Sequence, residues 1–208
     1  MPTCLEFIAK LRLNQIPGHI VGLELPSKTT FSFPSNELNR LAERAEAVGL
    51  TSQIYYAPGI QAVAPGPRQR GGSASVCGIP GFWWDGDILG PGHKQTALPT
   101  EKQIKGFIIS LPMKPSAVVW TGGGVHCYWL FEKPWVFSDE ADRQKAAAML
   151  AGWQRRIIEL GSRHGWKFDF TGDLARVLRL PGTWNLKIPG QPRPVTVEYW
   201  SDENALQH

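Results

Sequence analysis

Apolar residues recur at helical spacing in four stretches of this chain and alternate with a period of two in several others, so the pattern predicts a mixed α/β domain. Leu38, Leu41, Ala42, Ala45 and Val48 mark one face of an amphipathic helix over 36–48, with Ser35 as its N-cap and Gly49 as its stop. Thr100-Glu101-Lys102-Gln103 reads as a capping box ahead of Ile104, Phe107, Ile108 and Leu111, and Pro112 ends that helix. Ser138 is placed to cap a long helix whose Ala147, Leu150, Ala151, Ile157 and Ile158 face the core, ending near Gly161 or Gly165. A further helix is predicted over roughly 3–13, before a Pro17-Gly18 turn. Strands are predicted over 19–25, 52–56, 117–121 and 125–131, and Val195, Val197 and Tyr199 alternate as a terminal strand after Pro194. Between Ala57 and Gly81 the chain is rich in Gly, Pro and Ser and includes Arg68-Gln69-Arg70-Gly71-Gly72, which predicts a long loop. Loops of that length are uncommon in packed domains. Two readings stand for it: a solvated surface loop, or one whose Arg68 and Arg70 touch the phosphates of a polyanion.

With 208 residues, 42% of them hydrophobic and 19% charged, the chain is long and apolar enough for a real core. It fits one large domain or two intimately packed halves, and neither an internal repeat nor a clear linker divides it. A formal charge of +4 is compatible with a polyanionic partner and equally with none. Cys4, Cys77 and Cys127 are odd in number and scattered, which suggests neither a disulfide framework nor a zinc site; they are expected to be reduced and buried. No apolar run approaches a bilayer span, and the first twenty residues lack a secretory pattern, so a cytoplasmic location is expected.

Three stretches carry chemistry. In Phe82-Trp83-Trp84-Asp85-Gly86-Asp87-Ile88 the strand period puts Asp85 and Asp87 on one face, with Phe82, Trp84 and Ile88 on the other. Alpha carbons two apart on a strand lie about 6.5–7 Å from each other, close enough for both carboxylates to converge on a hard cation. A turn at Asp85-Gly86-Asp87 is the other reading. In Thr121-Gly122-Gly123-Gly124-Val125-His126-Cys127-Tyr128-Trp129 a permissive backbone precedes a strand on which His126 and Tyr128 share a face. Glycines admit a phosphate to the main chain, and a histidine there can hydrogen-bond or protonate it, although a lone strand histidine is commonly structural. The loop is not a Walker A motif. In the third stretch Asp173 could cap a short helical turn, setting Arg176 and Arg179 on one face with Val177 and Leu178 turned inward; Asn185 and Lys187 follow the Pro181-Gly182 turn. Arginine forks suit phosphate oxygens, and a surface ion-pair patch is the alternative.

Taken in order, these stretches resemble the three motifs of the archaeo-eukaryotic primase superfamily: Asp-x-Asp on a hydrophobic strand, small-x-His, and hydrophobic-Asp. The resemblance is to the primase-polymerases of plasmids, phages and other mobile elements, in which a Ser/Thr-Gly-x-Gly-x-His-x-Tyr-Trp stretch precedes an Asp and an Arg-x-x-Arg-x-Pro-Gly-Thr-x-Asn-x-Lys segment. Here those are Thr121 to Trp129, Asp169, and Arg176 to Lys187, and the similarity covers about 54–187. It implies a single catalytic domain of mixed α/β (α+β) class, an N-terminal α/β unit of about 1–80 packed on a unit of about 81–208 like an RNA-recognition motif, with the active site in the cleft between.

The resemblance also implies template-dependent nucleotidyl transfer. Asp85, Asp87 and Asp169 would hold two Mg²⁺ or Mn²⁺ ions, with no zinc. Thr121, His126, Arg176, Arg179 and Lys187 would grip a ribo- or deoxyribonucleoside triphosphate, and Arg68, Arg70 and Trp184 would meet a single-stranded DNA template. Larger members carry a helicase or helical C-terminal region, so a core cut from, or acting with, a larger replication protein is expected. The third carboxylate stays open: Phe168-Asp169 fits the motif, on a predicted strand through Trp166, Phe168 and Phe170, and Asp173 is the other candidate. Rival readings are a DNA-binding replication initiator that no longer polymerises and a repair polymerase acting on broken ends. A metal nuclease makes least use of the arginines.

Overall fold

The computed structural model describes residues 3–91 and 95–207 of the chain. The first half comprises helix α1 (Cys4–Lys10), strands β1 (His19–Leu25) and β2 (Thr29–Pro34), helix α2 (Leu38–Val48), and strands β3 (Gln53–Tyr56) and β4 (Ile60–Gln61). There follow β5 (Val76–Asp87), α3 (Glu101–Ser110), β6 (Ala117–Trp120), β7 (Gly124–Val136), α4 (Glu140–Ser162), the short strands β8 (Leu178–Arg179), β9 (Trp184–Asn185) and β10 (Arg193–Pro194), and β11 (Thr196–Trp200). Nine strands form one antiparallel sheet in the order β11-β6-β7-β5-β4-β1-β3-β8, with β2 on the other edge of β1. The sheet therefore passes unbroken from the first 80 residues into the rest. No helix among the described residues is long and apolar enough to cross a membrane.

Strands β5 and β7 form the centre, and their alternation decides what each face can do. Phe82, Trp84 and Trp129 point to the side covered by α3 and α4: Trp84 meets Phe107 of α3 with ring centroids 6.0 Å apart, and Phe82 and Trp129 meet Trp153 of α4 at 5.8 and 5.1 Å. Trp83, Asp85 and Asp87, paired opposite Tyr128, His126 and Gly124, take the other face. At the Tyr128 level α1 seals that face, with Phe7 against both Tyr128 (5.7 Å) and Tyr56 (6.0 Å), and the Tyr56 hydroxyl donates to the Tyr128 hydroxyl at 2.9 Å. Farther along β5 the Asp85–Asp87 end lines an open cleft.

Several sequence expectations shift in register or kind. The predicted helix over 3–13 is α1 and a separate 3-10 turn, Leu13–Gln15, with Arg12 in the left-handed region between them. Ser35 does not cap α2; its buried hydroxyl donates to the Ile16 carbonyl, and the helix starts at Leu38. Strand β2 lacks a sharp alternation signal because every residue in it is at least partly exposed. The glycine-rich stretch after Ala57 is a shorter loop than expected, because β4 and the start of β5 lie within it. Gly81 is a close-approach glycine: a Cβ there would sit 2.2 Å from the Trp129 carbonyl of the neighbouring strand. Cys4 and Cys127 are buried free thiols as expected, whereas Cys77 is half-exposed.

Residues 166–172 do not form the strand predicted through Trp166, Phe168 and Phe170. They are held instead by Gln154 of α4, a fully buried side chain. Its Nε2 donates to the Trp83 carbonyl at 2.8 Å, and its Oε1 accepts from the Thr171 backbone and hydroxyl, each at 2.9 Å. One side chain thus ties this segment to β5. Gln154→Ala would orphan those buried groups at about 1–3 kcal/mol each and release the segment. The expected outcome is a lower melting temperature and faster hydrogen exchange in 166–172; unchanged exchange there would show that Gln154 does not hold it.

Candidate active site

The cleft lies beside the open ends of β5 and β7 and encloses about 320 Å³, lined by Leu23, Leu25, Tyr55, Asp85, Asp87, Thr121, Gly123, His126, Arg176, Val177, Arg179, Asn185 and Lys187. A volume of that size suits a small-molecule ligand. Asp85 and His126 are cross-strand partners, and His126 Nε2 stands 3.5 Å from Asp85 Oδ1. The other Asp85 oxygen accepts from Arg176 Nη2 at 3.3 Å. Arg179, on β8, pairs with Tyr55 on β3, stacks its guanidinium 4.7 Å from that ring's centroid, and donates to Gln53 Oε1 at 2.6 Å.

The glycine loop is shaped from both sides. Thr121 N donates to the Gly124 carbonyl at 2.9 Å, Asn185 Nδ2 to the Thr121 carbonyl at 2.7 Å, and Arg193 Nη1 to the Gly122 carbonyl at 2.6 Å. Gly122 has φ +74°, and a Cβ there would lie 2.5 Å from the Arg193 side chain, so glycine is required for both conformation and space. Asn185 also accepts from Lys187 N at 3.0 Å, which fixes the lysine's backbone at the cleft mouth.

Burial sets the electrostatics. His126 is 3% exposed, and desolvation pushes its pKa down to about 4 against the pull of Asp85, with Arg179 and Arg176 depressing it further. At neutral pH it is therefore an uncharged imidazole that donates or accepts a hydrogen bond and does not act as a proton reservoir. Desolvation also lowers the Arg179 pKa, opposed by Tyr55, Asp85 and Asp87, and burial raises that of Tyr55. Two buried polar atoms here, His126 Nδ1 and Arg176 Nε, have no hydrogen-bond partner among the described residues.

Asp85 and Asp87 give hard oxygen donors on one face at pleat spacing, and a cation already touches Asp85 in the form of the Arg176 guanidinium. The pair fits Mg²⁺ or Mn²⁺ in the way such ions are commonly held, by one or two carboxylates plus substrate phosphate oxygens. The expected third carboxylate is not with them. Asp169 is exposed and does not line the cleft, and no group of three His, Cys, Asp or Glu side chains among the described residues is arranged to hold a metal. Phe168 packs edge-on against Trp84 at 4.8 Å on the helix-covered side, and its neighbour is left in solvent. Asp173 is half-buried and also outside the lining; its carbonyl accepts from Arg176 N at 3.1 Å, so a turn does open there, but it ends before Arg179. Arg176 and Arg179 consequently reach the cleft from a turn and a strand, and Val177 lines the cleft where it was expected to turn inward.

Of the remaining expected residues, Thr121, His126, Arg176, Arg179 and Lys187 are gathered with Asp85 and Asp87. Arg68 and Arg70 are exposed on the loop before β5, and Trp184 is half-buried on β9; none of the three lines the cleft. Sequence reasoning missed Tyr55, Gln53, Leu23 and Leu25. Their only signal was strand alternation, which says that a face is shared and not what it faces.

No family model matches the sequence, and no curated protein is significantly similar to it. Solved structures do match. The archaeo-eukaryotic primase (AEP) domain of the cyanophage S-2L primase-polymerase is similar with a TM-score of 0.63 at 15% identity, over 99% of this chain and 92% of that one. Primase RepB′ matches with a TM-score of 0.53 at 14% identity, over 97% of this chain and 58% of that one. Its catalytic domain, solved in complex with initiator DNA, gives 0.51 at 14% identity over 98% and 88%. At such identities the likeness is one of fold, and it spans nearly the whole chain: this protein has the fold of an archaeo-eukaryotic primase-polymerase catalytic domain.

Proposed function

We propose that this protein is a template-dependent nucleotidyl transferase, a DNA primase or primase-polymerase that adds nucleotides along single-stranded DNA. The observation that carries the reading is the meeting, in one cleft, of Asp85 and Asp87 with His126, Arg176, Arg179 and Lys187, which the sequence holds in three separate stretches. Carboxylates for divalent ions beside guanidinium and ammonium groups for phosphates are the complement of a nucleoside triphosphate. The fold shared with primase domains supports the same reading.

Asp85 and Asp87 would hold Mg²⁺ or Mn²⁺, one ion or two, and a bound ion stabilises the charge that builds on the phosphoryl oxygens and the departing pyrophosphate. Arg179, clamped on Gln53 and Tyr55, presents a pre-oriented fork to the triphosphate, and Lys187 adds a point charge at the cleft mouth. Neutral His126 supplies a hydrogen bond. Arg176 contacts Asp85 at 3.3 Å and would lie within reach of a phosphate held beside that carboxylate. The template is proposed to pass near the loop bearing Arg68 and Arg70, with Trp184 as a candidate base contact; a helicase or helical region is a proposed partner.

The direct test is incubation with single-stranded DNA, Mn²⁺ and labelled ribo- or deoxyribonucleotides, with and without a primer. Products without a primer support priming, products only with one support polymerase activity, and DNA binding with no incorporation under any condition would favour the initiator reading. Within that assay Asp169→Ala is expected to lose less activity than Asp85→Ala, because Asp169 stands outside the cleft lining. An equally complete loss would place Asp169 in the metal site and require its carboxylate to turn from solvent toward the cleft.

A further inference from the structure

The two walls of the cleft differ in chemistry. One bears the carboxylates, His126 and the glycine loop; the other is Leu23 and Leu25 on β1, Tyr55 on β3, and Val177 just before β8. Metal and phosphate chemistry make no use of this second wall. Its half-exposure is also not a strand-end accident. Leu23 pairs directly with Tyr55, and Leu25 with Gln53, so these four side chains share one surface. Glu24, between the two leucines, turns to the other side, where it accepts from Ser52 at 2.8 Å and pairs with Arg44. The sequence thus spends its polar residue away from the cleft and its apolar ones toward it.

Tyr55 links this wall to the phosphate-binding groups, since its ring carries the Arg179 guanidinium at 4.7 Å while Gln53 accepts from the same arginine. A molecule whose phosphates engage Arg179 has its remaining, less polar part beside Tyr55 and the leucines. Deepening the nucleotidyl-transfer reading, on which this rests, we infer that Leu23, Leu25 and Tyr55 form the platform for the base and sugar of the incoming nucleoside triphosphate. The two leucines offer no donor or acceptor to read a base edge, so the wall grips all four bases by contact area and leaves their choice to the template.

The test compares a nucleoside triphosphate with inorganic tripolyphosphate, which has the phosphates and no base. Binding of each to the full chain is measured calorimetrically with Mn²⁺ and without DNA. The parent protein is expected to prefer the nucleotide by about tenfold or more, in the range that base stacking supplies. Leu23→Ser and Leu25→Ser should erase most of that preference while leaving tripolyphosphate affinity unchanged, which also reports that the variants are folded. Tyr55→Ala should weaken both ligands, because Arg179 loses its support, and Tyr55→Phe should restore both. Leucine variants that keep the full preference, or that weaken both ligands alike, would overturn the platform. If the parent binds neither ligand, the nucleotidyl-transfer reading itself fails, a result distinct from either of these.

Discussion

Asp85→Asn and Asp87→Asn are each expected to reduce nucleotide incorporation by about 10³-fold or more, since a metal's charge stabilisation is worth several kcal/mol and each 1.36 kcal/mol is tenfold in rate. Both side chains line the cleft, and asparagine keeps their shape while removing the charge that holds a divalent ion. Stability should change little. Asp85 retains 25% side-chain exposure and its contact to the partly exposed Arg176 is made at 3.3 Å, so the pair is solvent-screened and contributes at most about 1 kcal/mol to folding. The measurements are incorporation on a primed template, Mn²⁺ binding by electron paramagnetic resonance, and thermal melting. Full activity in either variant, or undiminished Mn²⁺ binding in both, would remove these carboxylates from the metal site.

Much of this site was legible in the sequence, for reasons that differ from residue to residue. Asp85, Asp87 and His126 sit on strands whose period of two fixes which neighbours share a face, so local sequence sufficed to set them on one surface. Arg176 and Arg179 are expected from their pattern to bind phosphate, and the structure brings both to the cleft, though not on one helical face. The turn expected at Asp173 is present, but Arg179 lies on β8, which pairs with β3, a contact across more than a hundred residues that no local signal carries. The apolar wall was invisible for the same reason, because Leu23 and Tyr55 look like ordinary strand residues until tertiary pairing exposes them to the cleft. Asp169 shows the opposite situation, a motif residue that stands outside the cleft lining. Its motif fit was good, yet the segment is governed by Phe168 packing on Trp84 and by the buried amide of Gln154, neither of which the motif encodes.

Arg179→Lys is expected to lower kcat/KM for the nucleotide by about 10²-fold, the equivalent of roughly 3 kcal/mol in charge-assisted hydrogen bonds, with most of the change in KM. The conservative charge is not expected to rescue the function, because the contribution proposed for Arg179 is orientation. The residue is only 9% exposed and its guanidinium is stacked on Tyr55 and hydrogen-bonded to Gln53, so the side chain has already lost most of its freedom before a ligand arrives. A lysine ammonium cannot stack as a plane, cannot donate to Gln53 and to a phosphate with one fixed geometry, and would leave the Gln53 oxygen without that bond. Nucleotide titrations at saturating template, alongside single-stranded DNA binding, distinguish the outcomes. A raised nucleotide KM with unchanged DNA affinity places Arg179 on the triphosphate. Weaker DNA binding with an unaltered nucleotide KM would put it on the template strand, and the apolar wall beside it would then belong to the template as well.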